Sequence, residues 1–306
     1  NFNCFANNAR TAGDIVFLRR GQATTTGIVT ATFTSDGTLN NPIFVSADYD
    51  NLWSDFTTSA VTVTPTFGSK FIATSASSTD FATPNKWIYL TGDCTETYNP
   101  SYLNKCEYAY EVASTSPNGI DLYLPYKGAL SGAGQGMRVM PANPVIGTVT
   151  QTTKIFDVSQ DDYWYFKGLD LRGSTSGVCN VQISTTRGSY ITDTIFQGDG
   201  VTVCGITSID YTKMKKIRSF DTLVFLSSFH SSLIEDFYVD CNSRASSFPV
   251  SGTVTDAKIK DGVIVNCTSD YQSSNTGGGS GALYFENVKR ENKTYTNLSG
   301  GGTARI

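Results

Sequence analysis

LIEDFYVDC (Leu233–Cys241) and KIKDGVIVNC (Lys258–Cys267) are two similar stretches in the second half of the chain. Each alternates polar and apolar residues, as expected for a strand with one buried face. Two further stretches have the same pattern, namely YFKGLDLRG (Tyr165–Gly173) and YITDTIFQG (Tyr190–Gly198). Short strands that recur roughly every 20–30 residues, with no amphipathic helix between them, indicate a solenoid.

The repeat predicts an all-β fold, a right-handed single-stranded parallel β-helix whose coils stack about 4.8 Å apart. In this register Leu171 and Phe196 are buried neighbours on adjacent strands, and so are Val239 and Val265. The last stretch has one extra residue, which we interpret as a bulge near Gly262.

One more coil is expected between the two repeat pairs, around Lys216 to Leu226, although no register there places only apolar residues inward. The richest basic run of the chain, Lys213–Arg218, falls at this point. We interpret it as a solvated turn.

Composition excludes several classes of protein. The 306 residues include only 16% charged residues and have a formal net charge of −4. No basic tract is long enough to favour a nucleic-acid partner, and no apolar run is long enough for a transmembrane helix, so no membrane insertion is expected. The chain has one histidine, His230, and no CxxC motif, so we predict no metal and no cofactor.

The seven cysteines leave at least one thiol unpaired. Cys94 and Cys106 bracket a polar loop and could form a disulfide. The last four fall in two pairs that the repeat places in ladder positions: Cys179 with Cys204, and Cys241 with Cys267. We favour buried thiols at these positions, and disulfides remain an alternative there.

Residues 59–144 interrupt the rhythm of the coils. Four alternating segments predict antiparallel strands, and they span Lys86–Gly92, Glu107–Ala113, Gly119–Tyr126 and Gln135–Met140. The predicted organisation is therefore first coils over 1–58, an inserted antiparallel β-barrel-like domain over 59–144, and the main β-helix over 145–306.

Two motifs resemble known proteins. AGDIVFLRRG (Ala12–Gly21) followed by SDGTLNNPIFVSA (Ser35–Ala47) resembles the opening coils of β-helical polysaccharide lyases and phage tailspikes. Asp36 stands where that pattern has serine. The inserted segment resembles a small β-barrel module that recurs in virion proteins of tailed phages. These resemblances imply the architecture and a virion context, and they carry no catalytic residue.

The run Tyr163-Trp164-Tyr165-Phe166 begins the resumed β-helix. Alternation in a strand places Trp164 and Phe166 on one face and Tyr163 and Tyr165 on the other. Exposed tyrosines on a β-helix can stack on the flat faces of sugar rings, so Tyr163 and Tyr165 are candidate glycan-binding residues. The alternative is that the run only covers the core.

No catalytic residue is singled out by the sequence. A glycosidase would need two carboxylates at a defined separation. The acids on predicted coil faces are Asp161, Asp162, Asp170, Asp193, Asp199, Glu235, Asp236, Asp240 and Asp261. Asp193, Asp236 and Asp261 precede aligned strands, which a turn role explains. A lyase would need a basic residue, for which Lys167 with Arg187, or Lys260 with Arg290, are candidates.

Our first hypothesis is a protein of the phage virion surface, of the tailspike, tail-fibre or capsid-decoration type, that is structural or binds a host polysaccharide. The alternative is a secreted β-helical polysaccharide lyase or glycoside hydrolase. Either hypothesis predicts an extracellular location. The Gly-rich C-terminal stretch contains no helix that could cap the last coil. We therefore expect a homo-oligomer, a homotrimer above all, or a subunit seated on other virion proteins.

Overall fold

The computed structural model describes most of the chain as strands and the turns between them. The described residues are 10–24, 31–33, 35–49, 51–77, 86–93, 109–148, 156–159, 162–172, 181–198, 203–220, 223–242, 246–267, 269–274, 283–291 and 304–305. Among these residues there is no helix, which agrees with the all-β prediction.

Two parallel sheets form the β-helix. The larger sheet has 13 strands: β1 (Ile15–Leu18), β2 (Ala23–Thr24), β4 (Ile43–Ala47), β12 (Val145–Ile146), β14 (Trp164–Lys167), β15 (Asp170–Arg172), β17 (Tyr190–Thr192), β18 (Ile195–Gln197), β20 (Lys213–Phe220), β22 (Leu233–Asp240), β24 (Ala257–Val265), β26 (Leu283–Glu291) and β27 (Ala304–Arg305). The smaller sheet has seven: β3 (Ala31–Phe33), β13 (Phe156–Ser159), β16 (Val181–Arg187), β19 (Val203–Asp210), β21 (Leu223–His230), β23 (Ser246–Thr255) and β25 (Ser269–Ser274).

The third sheet is antiparallel, and all of its strands except β5 fall within the predicted insertion. Its seven strands are β5 (Thr57–Thr58), β6 (Val63–Thr64), β7 (Phe71–Thr74), β8 (Trp87–Leu90), β9 (Tyr110–Ser116), β10 (Gly119–Leu122) and β11 (Met137–Met140). The last four correspond to the four predicted segments. The first three were not predicted, because two of them are only two residues long.

The chain divides into two compact units. Unit 1 consists of 1–17, 23–46 and 145–306, and unit 2 of 18–22 and 47–144. The core of unit 2 is formed by apolar residues of the antiparallel sheet, among them Ile72, Ile88, Ile120 and Val139. The boundaries 59 and 144 of an independent inserted domain stay a prediction.

The predicted register of the β-helix is confirmed in one place and off by one residue in another. Leu171 lies directly opposite Phe196, and both are buried. Val239 and Val265 are also buried on adjacent parallel strands, but Val239 lies opposite Ile264. The pairing of β22 with β24 runs through Gly262 without a shift, so the predicted bulge there is wrong.

The additional coil exists, and it explains why its register could not be predicted. Ser219 of β20 lies between Phe196 on one coil and Val239 on the next, in a core position where an apolar residue was expected. Its side chain is nevertheless buried. One serine at a core position, between two apolar residues of the neighbouring coils, therefore interrupts the apolar pattern of the repeat.

The corners of the coils are formed by residues in the left-handed region of φ. One column of corners contains Gly168, Asp193, Lys216, Asp236, Asp261 and Asn287, with φ between 50° and 71°. A second contains Tyr163, Gly188, Tyr211, Ser231 and Asp256, with φ between 43° and 66°. Asp and Asn tolerate this conformation better than most residues. The turn role predicted for Asp193, Asp236 and Asp261 is confirmed.

Cys241 and Cys267 form a disulfide between neighbouring coils, with a Cα–Cα distance of 4.8 Å. We favoured free thiols at these positions, and that interpretation is wrong for this pair. The strand register places Cys241 one residue out of step with Cys267. Asn266, whose φ is 53°, supplies the extra residue that brings the two sulfurs together. Cys94, Cys106 and Cys179 lie outside the described residues.

Candidate functional site

One face of the larger sheet carries two straight columns of side chains, and we call it the ladder face. The strand registers define both columns. The first column is Phe44, Tyr165, Tyr190, Lys213, Leu233, Lys258 and Tyr284. The second column is Ser46, Lys167, Thr192, Lys215, Glu235, Lys260 and Glu286. Aromatic residues come together at one end of the columns and most charged residues at the other, with Lys167 as an exception at the aromatic end. At that end Phe44, Ser46, Lys167 and Thr192 are buried, while Tyr165 and Tyr190 are partly exposed.

The aromatic end is held in place by the core beneath it. Trp164 and Phe166 are buried, and their rings stack with centroids 6.0 Å apart. The indole Nε1 of Trp164 donates a hydrogen bond to the carbonyl oxygen of Ser35 at 2.9 Å. With both neighbours turned inward, Tyr165 points outward from the middle of β14.

Tyr165 is the centre of an aromatic ladder. Its ring meets that of Phe44 edge-on at 5.2 Å and that of Tyr190 edge-on at 5.8 Å. Partial burial, together with the nearby Tyr163, raises the pKa of the Tyr165 hydroxyl. The phenol therefore stays protonated and able to donate a hydrogen bond across the physiological pH range.

Tyr163 lies at a corner, one residue before β14, so it does not share the simple strand alternation of Tyr165. Its backbone is fixed on both sides: its N–H donates to the carbonyl of Arg187 at 2.9 Å, and its carbonyl accepts from Ile43 at 3.1 Å. Gly37 of the opening motif lies against this corner. A Cβ atom at position 37 would come within 2.6 Å of the Tyr163 carbonyl oxygen, so the corner needs glycine there.

The ring of Tyr163 covers the neighbouring coil at Gly188. A Cβ atom at Gly188 would lie 2.5 Å from Cε1 of Tyr163, so only glycine leaves room for the ring. Tyr211 is the next residue of the same corner column, and 65% of it is exposed. Tyr163, Tyr165, Tyr190 and Tyr211 thus form a tyrosine cluster that spans three successive coils.

The charged end of the ladder face is centred on Glu235. Its Oε1 atom lies 2.7 Å from Nζ of Lys213 and 3.9 Å from Nζ of Lys215. Its Oε2 atom lies 3.2 Å from Nζ of Lys260. One carboxylate is therefore shared by three ammonium groups, which cover it and leave it largely buried.

The ionisation of Glu235 depends on the lysines around it. Burial alone would raise the pKa of the carboxyl, but the surrounding lysines, Lys213 above all, lower it below its ordinary value. The hydrogen bond with Glu235 raises the pKa of Lys260 in turn. The lysines thus outweigh burial, and they favour the ionised form of the Glu235 carboxyl.

The basic run Lys213–Arg218 is a strand and not the solvated turn that we predicted. Lys213 and Lys215 point outward to Glu235, while Arg218 is buried. Lys216 forms the corner and lies 2.9 Å from the buried Asp193 carboxylate of the preceding coil. The run therefore has the alternation of a strand, and its charges lie in three places: beside Glu235, beside Asp193, and in the buried interior at Arg218.

Of the other acids considered as catalytic candidates, Asp161 and Asp199 lie outside the described residues, and Asp170 has structural surroundings. Asp170 is buried, which raises the pKa of its carboxyl, but Arg172 holds it with its closest contact at 2.7 Å. The proposed pair of Lys260 and Arg290 is not brought together, because Lys260 lies opposite Glu286 and Arg290 opposite Ile264.

Lys167 and Arg187 belong to different sheets, so this second candidate pair does not share a strand ladder. Among the described residues, no group of three or more His, Cys, Asp or Glu side chains is placed to hold a metal ion. In the same part of the chain, no helix has the length and apolar character needed to cross a membrane.

Comparison with known proteins gives matches to solved structures alone. No protein-family model and no curated protein sequence matches the chain. A complex of XylC with xylose is 9% identical with a TM-score of 0.40, covering 94% of this chain and 59% of that one. An alginate lyase from Paenibacillus is 11% identical with a TM-score of 0.33, covering 94% and 92%.

A tailspike of an Acinetobacter baumannii bacteriophage, solved with a capsular saccharide, is 14% identical with a TM-score of 0.23. The alignment covers 92% of this chain and 54% of the tailspike. The chain therefore spans less than two thirds of the length of the XylC structure and of this tailspike.

Proposed function

We propose that this chain binds a polysaccharide along the ladder face, as a protein of a phage virion surface. The observation that carries the proposal is the tyrosine cluster, in which Tyr163, Tyr165, Tyr190 and Tyr211 lie on three stacked coils. Neighbouring coils are about 4.8 Å apart, so the cluster follows the helix axis as an elongated strip. An elongated aromatic strip with phenol hydroxyls suits an extended sugar chain, because rings stack on C–H faces while hydroxyls form hydrogen bonds.

The virion part of the proposal is supported by the two sequence resemblances and by the disulfide. Disulfides persist in oxidising surroundings and are rare in the cytosol. The pair Cys241–Cys267 therefore suits an extracellular particle.

Replacing Tyr211 by alanine is expected to weaken glycan binding about tenfold, the loss of one stacking contact. Tyr211 is the cleanest site for this test because it is largely exposed and supports no core residue. The ligand is first identified on an array of bacterial capsular and lipopolysaccharide glycans, and affinities are then measured by calorimetry.

Phe67→Ala is the matched control, since Phe67 is 72% exposed and belongs to the antiparallel unit. Binding that is lost in Phe67→Ala and kept in Tyr211→Ala would place the glycan elsewhere, and an array without any bound glycan would refute the proposal. Shortening of the bound glycan at a catalytic rate would favour the alternative, a polysaccharide-degrading enzyme.

The proposal includes assembly into a homo-oligomer, with a trimer as the expected form. The support for assembly is the resemblance of the opening coils to phage β-helices, which favours three parallel copies around an axis.

Light scattering coupled to size-exclusion chromatography is expected to give three times the 33.0 kDa mass of one chain. Trimer association should persist on dilution to micromolar concentration. A stable monomer at that concentration would contradict the assembly proposal and leave glycan binding untouched.

A further inference from the structure

We propose that the charged end of the ladder face is a subsite for the acidic groups of the glycan, formed by Lys213, Lys215, Lys258 and Lys260 around Glu235. The inference rests on the proposed function, since it assigns a chemical class to the ligand of the same face. The substrate class is a polysaccharide that carries carboxylates.

The geometry provides more ammonium groups than carboxylates. Lys213, Lys215 and Lys260 surround Glu235, and Lys258 forms an ion pair with Glu286. Asp261 adds one carboxylate at the edge, 3.7 Å from Lys260. Four ammonium groups thus share three carboxylates, in a chain whose overall charge is −4.

Around Glu235 the ammonium groups are the more accessible partners. The side chains of Lys213, Lys215 and Lys260 are 43%, 18% and 27% exposed, whereas that of Glu235 is 10% exposed. In the pair of Lys258 with Glu286 both side chains are exposed, at 41% and 57%. Lys213 and Lys258 belong to the first column, in line with Tyr165 and Tyr190. A sugar chain stacked on the tyrosines and continued along this column would meet the ammonium groups first.

The neighbouring corner column does not cancel this charge. Lys216 and Asp193 are buried and neutralise each other. Asp236 is also largely buried. Around Glu235 itself, three ammonium groups face one largely buried carboxylate, which leaves a net positive charge at this surface. An acidic group of a ligand would therefore be attracted to the surface above Glu235.

Oligogalacturonate and its methyl ester provide a matched pair of probes, because they share one backbone and differ in charge. The acid is expected to bind at least about tenfold more tightly than the ester at low salt, and its affinity should fall as sodium chloride is raised. Lys213→Met should weaken binding of the acid about fivefold, the value of one exposed charge pair.

Lys289→Met is the matched control, since Lys289 is 71% exposed, pairs with Glu291 at 2.9 Å and lies outside both columns. Glu235→Gln removes the buried negative charge and should strengthen binding of the acid, while the affinity for the ester stays unchanged. Because the Lys213 side chain is 43% exposed, Lys213→Met tests the acidic subsite even if Glu235→Gln fails to fold.

Equal affinity for acid and ester, or equal losses in Lys213→Met and Lys289→Met, would overturn the acidic subsite and leave glycan binding in place. Absence of binding by both probes would also overturn it. The glycan array and Tyr211→Ala then decide the proposed function separately, because neither depends on a charged sugar.

Discussion

Arg20→Met is expected to lower the free energy of unfolding of the antiparallel unit by about 3 kcal/mol or more, because two buried acceptors and one partly buried acceptor lose their donor. Arg20 is 2% exposed. Its Nε donates to the carbonyl of Asp48 at 2.7 Å, and Nη1 donates to Oδ1 of Asn143 at 2.7 Å and to the carbonyl of Pro141 at 3.3 Å. The guanidinium also lies 4.4 Å from the centre of the Tyr49 ring.

These contacts connect the two segments of unit 2, because Arg20 lies in the short segment 18–22 and its partners lie near both ends of the segment 47–144. Methionine keeps an unbranched apolar stem and has no hydrogen-bond donor, so it removes the hydrogen bonds together with the volume of the guanidinium group. Lysine would not restore them, since one ammonium group cannot reproduce the planar fork of donors.

The preceding residue provides the control. Arg19 also forms an ion pair, with Asp55 at 2.7 Å, but its side chain is 45% exposed. Arg19→Met should leave the melting temperature almost unchanged. Scanning calorimetry of the two variants compares a buried and an exposed arginine in adjacent positions. Equal melting temperatures for Arg19→Met and Arg20→Met would show that the hydrogen bonds of Arg20 contribute little to stability.

The repeat of alternating strands was sufficient to predict the β-helix, because its core columns are mostly apolar. Leu171 opposite Phe196 is the clearest case. The register failed where a core position holds a polar residue, as at Ser219. It also failed where an extra residue is absorbed at a corner, as at Asn266. A two-residue periodicity cannot distinguish a corner in the left-handed region from a bulge within the strand.

The candidate site was predicted in part. The alternation of Trp164 and Phe166 with their neighbours correctly placed Tyr165 outward. Tyr190, Tyr211 and the lysines around Glu235 were missed, because they come together only through the stacking of coils separated by about 20–25 residues. The equal spacing of the repeat was the signal that could have aligned them, once the register of β20 was known. Arg20 gave no such signal, since Arg19 and Arg20 look alike in sequence.

Gly262 was interpreted as the site of a bulge, and the structure gives it a different role. It pairs in register with Phe237 of the preceding coil. A Cβ atom at Gly262 would lie 2.3 Å from both Cε1 and Cζ of Phe237, so the ring occupies the space that any other residue would fill. Phe237 is completely buried. The Phe237 ring therefore requires that position 262 has no side chain.

Phe237→Ala is expected to lower the free energy of unfolding by about 3–5 kcal/mol, through lost burial and the cavity that remains. Gly262→Ala alone should cost about 1–3 kcal/mol, because its methyl group overlaps the ring. In the Phe237→Ala background the same methyl group enters the cavity, so Gly262→Ala should cost nothing there or restore some stability. The coupling energy of this double-mutant cycle, measured from urea unfolding, is then about 1–3 kcal/mol. If Gly262→Ala costs the same in both backgrounds, the ring does not require the glycine, and the stacked coils tolerate a side chain at this position.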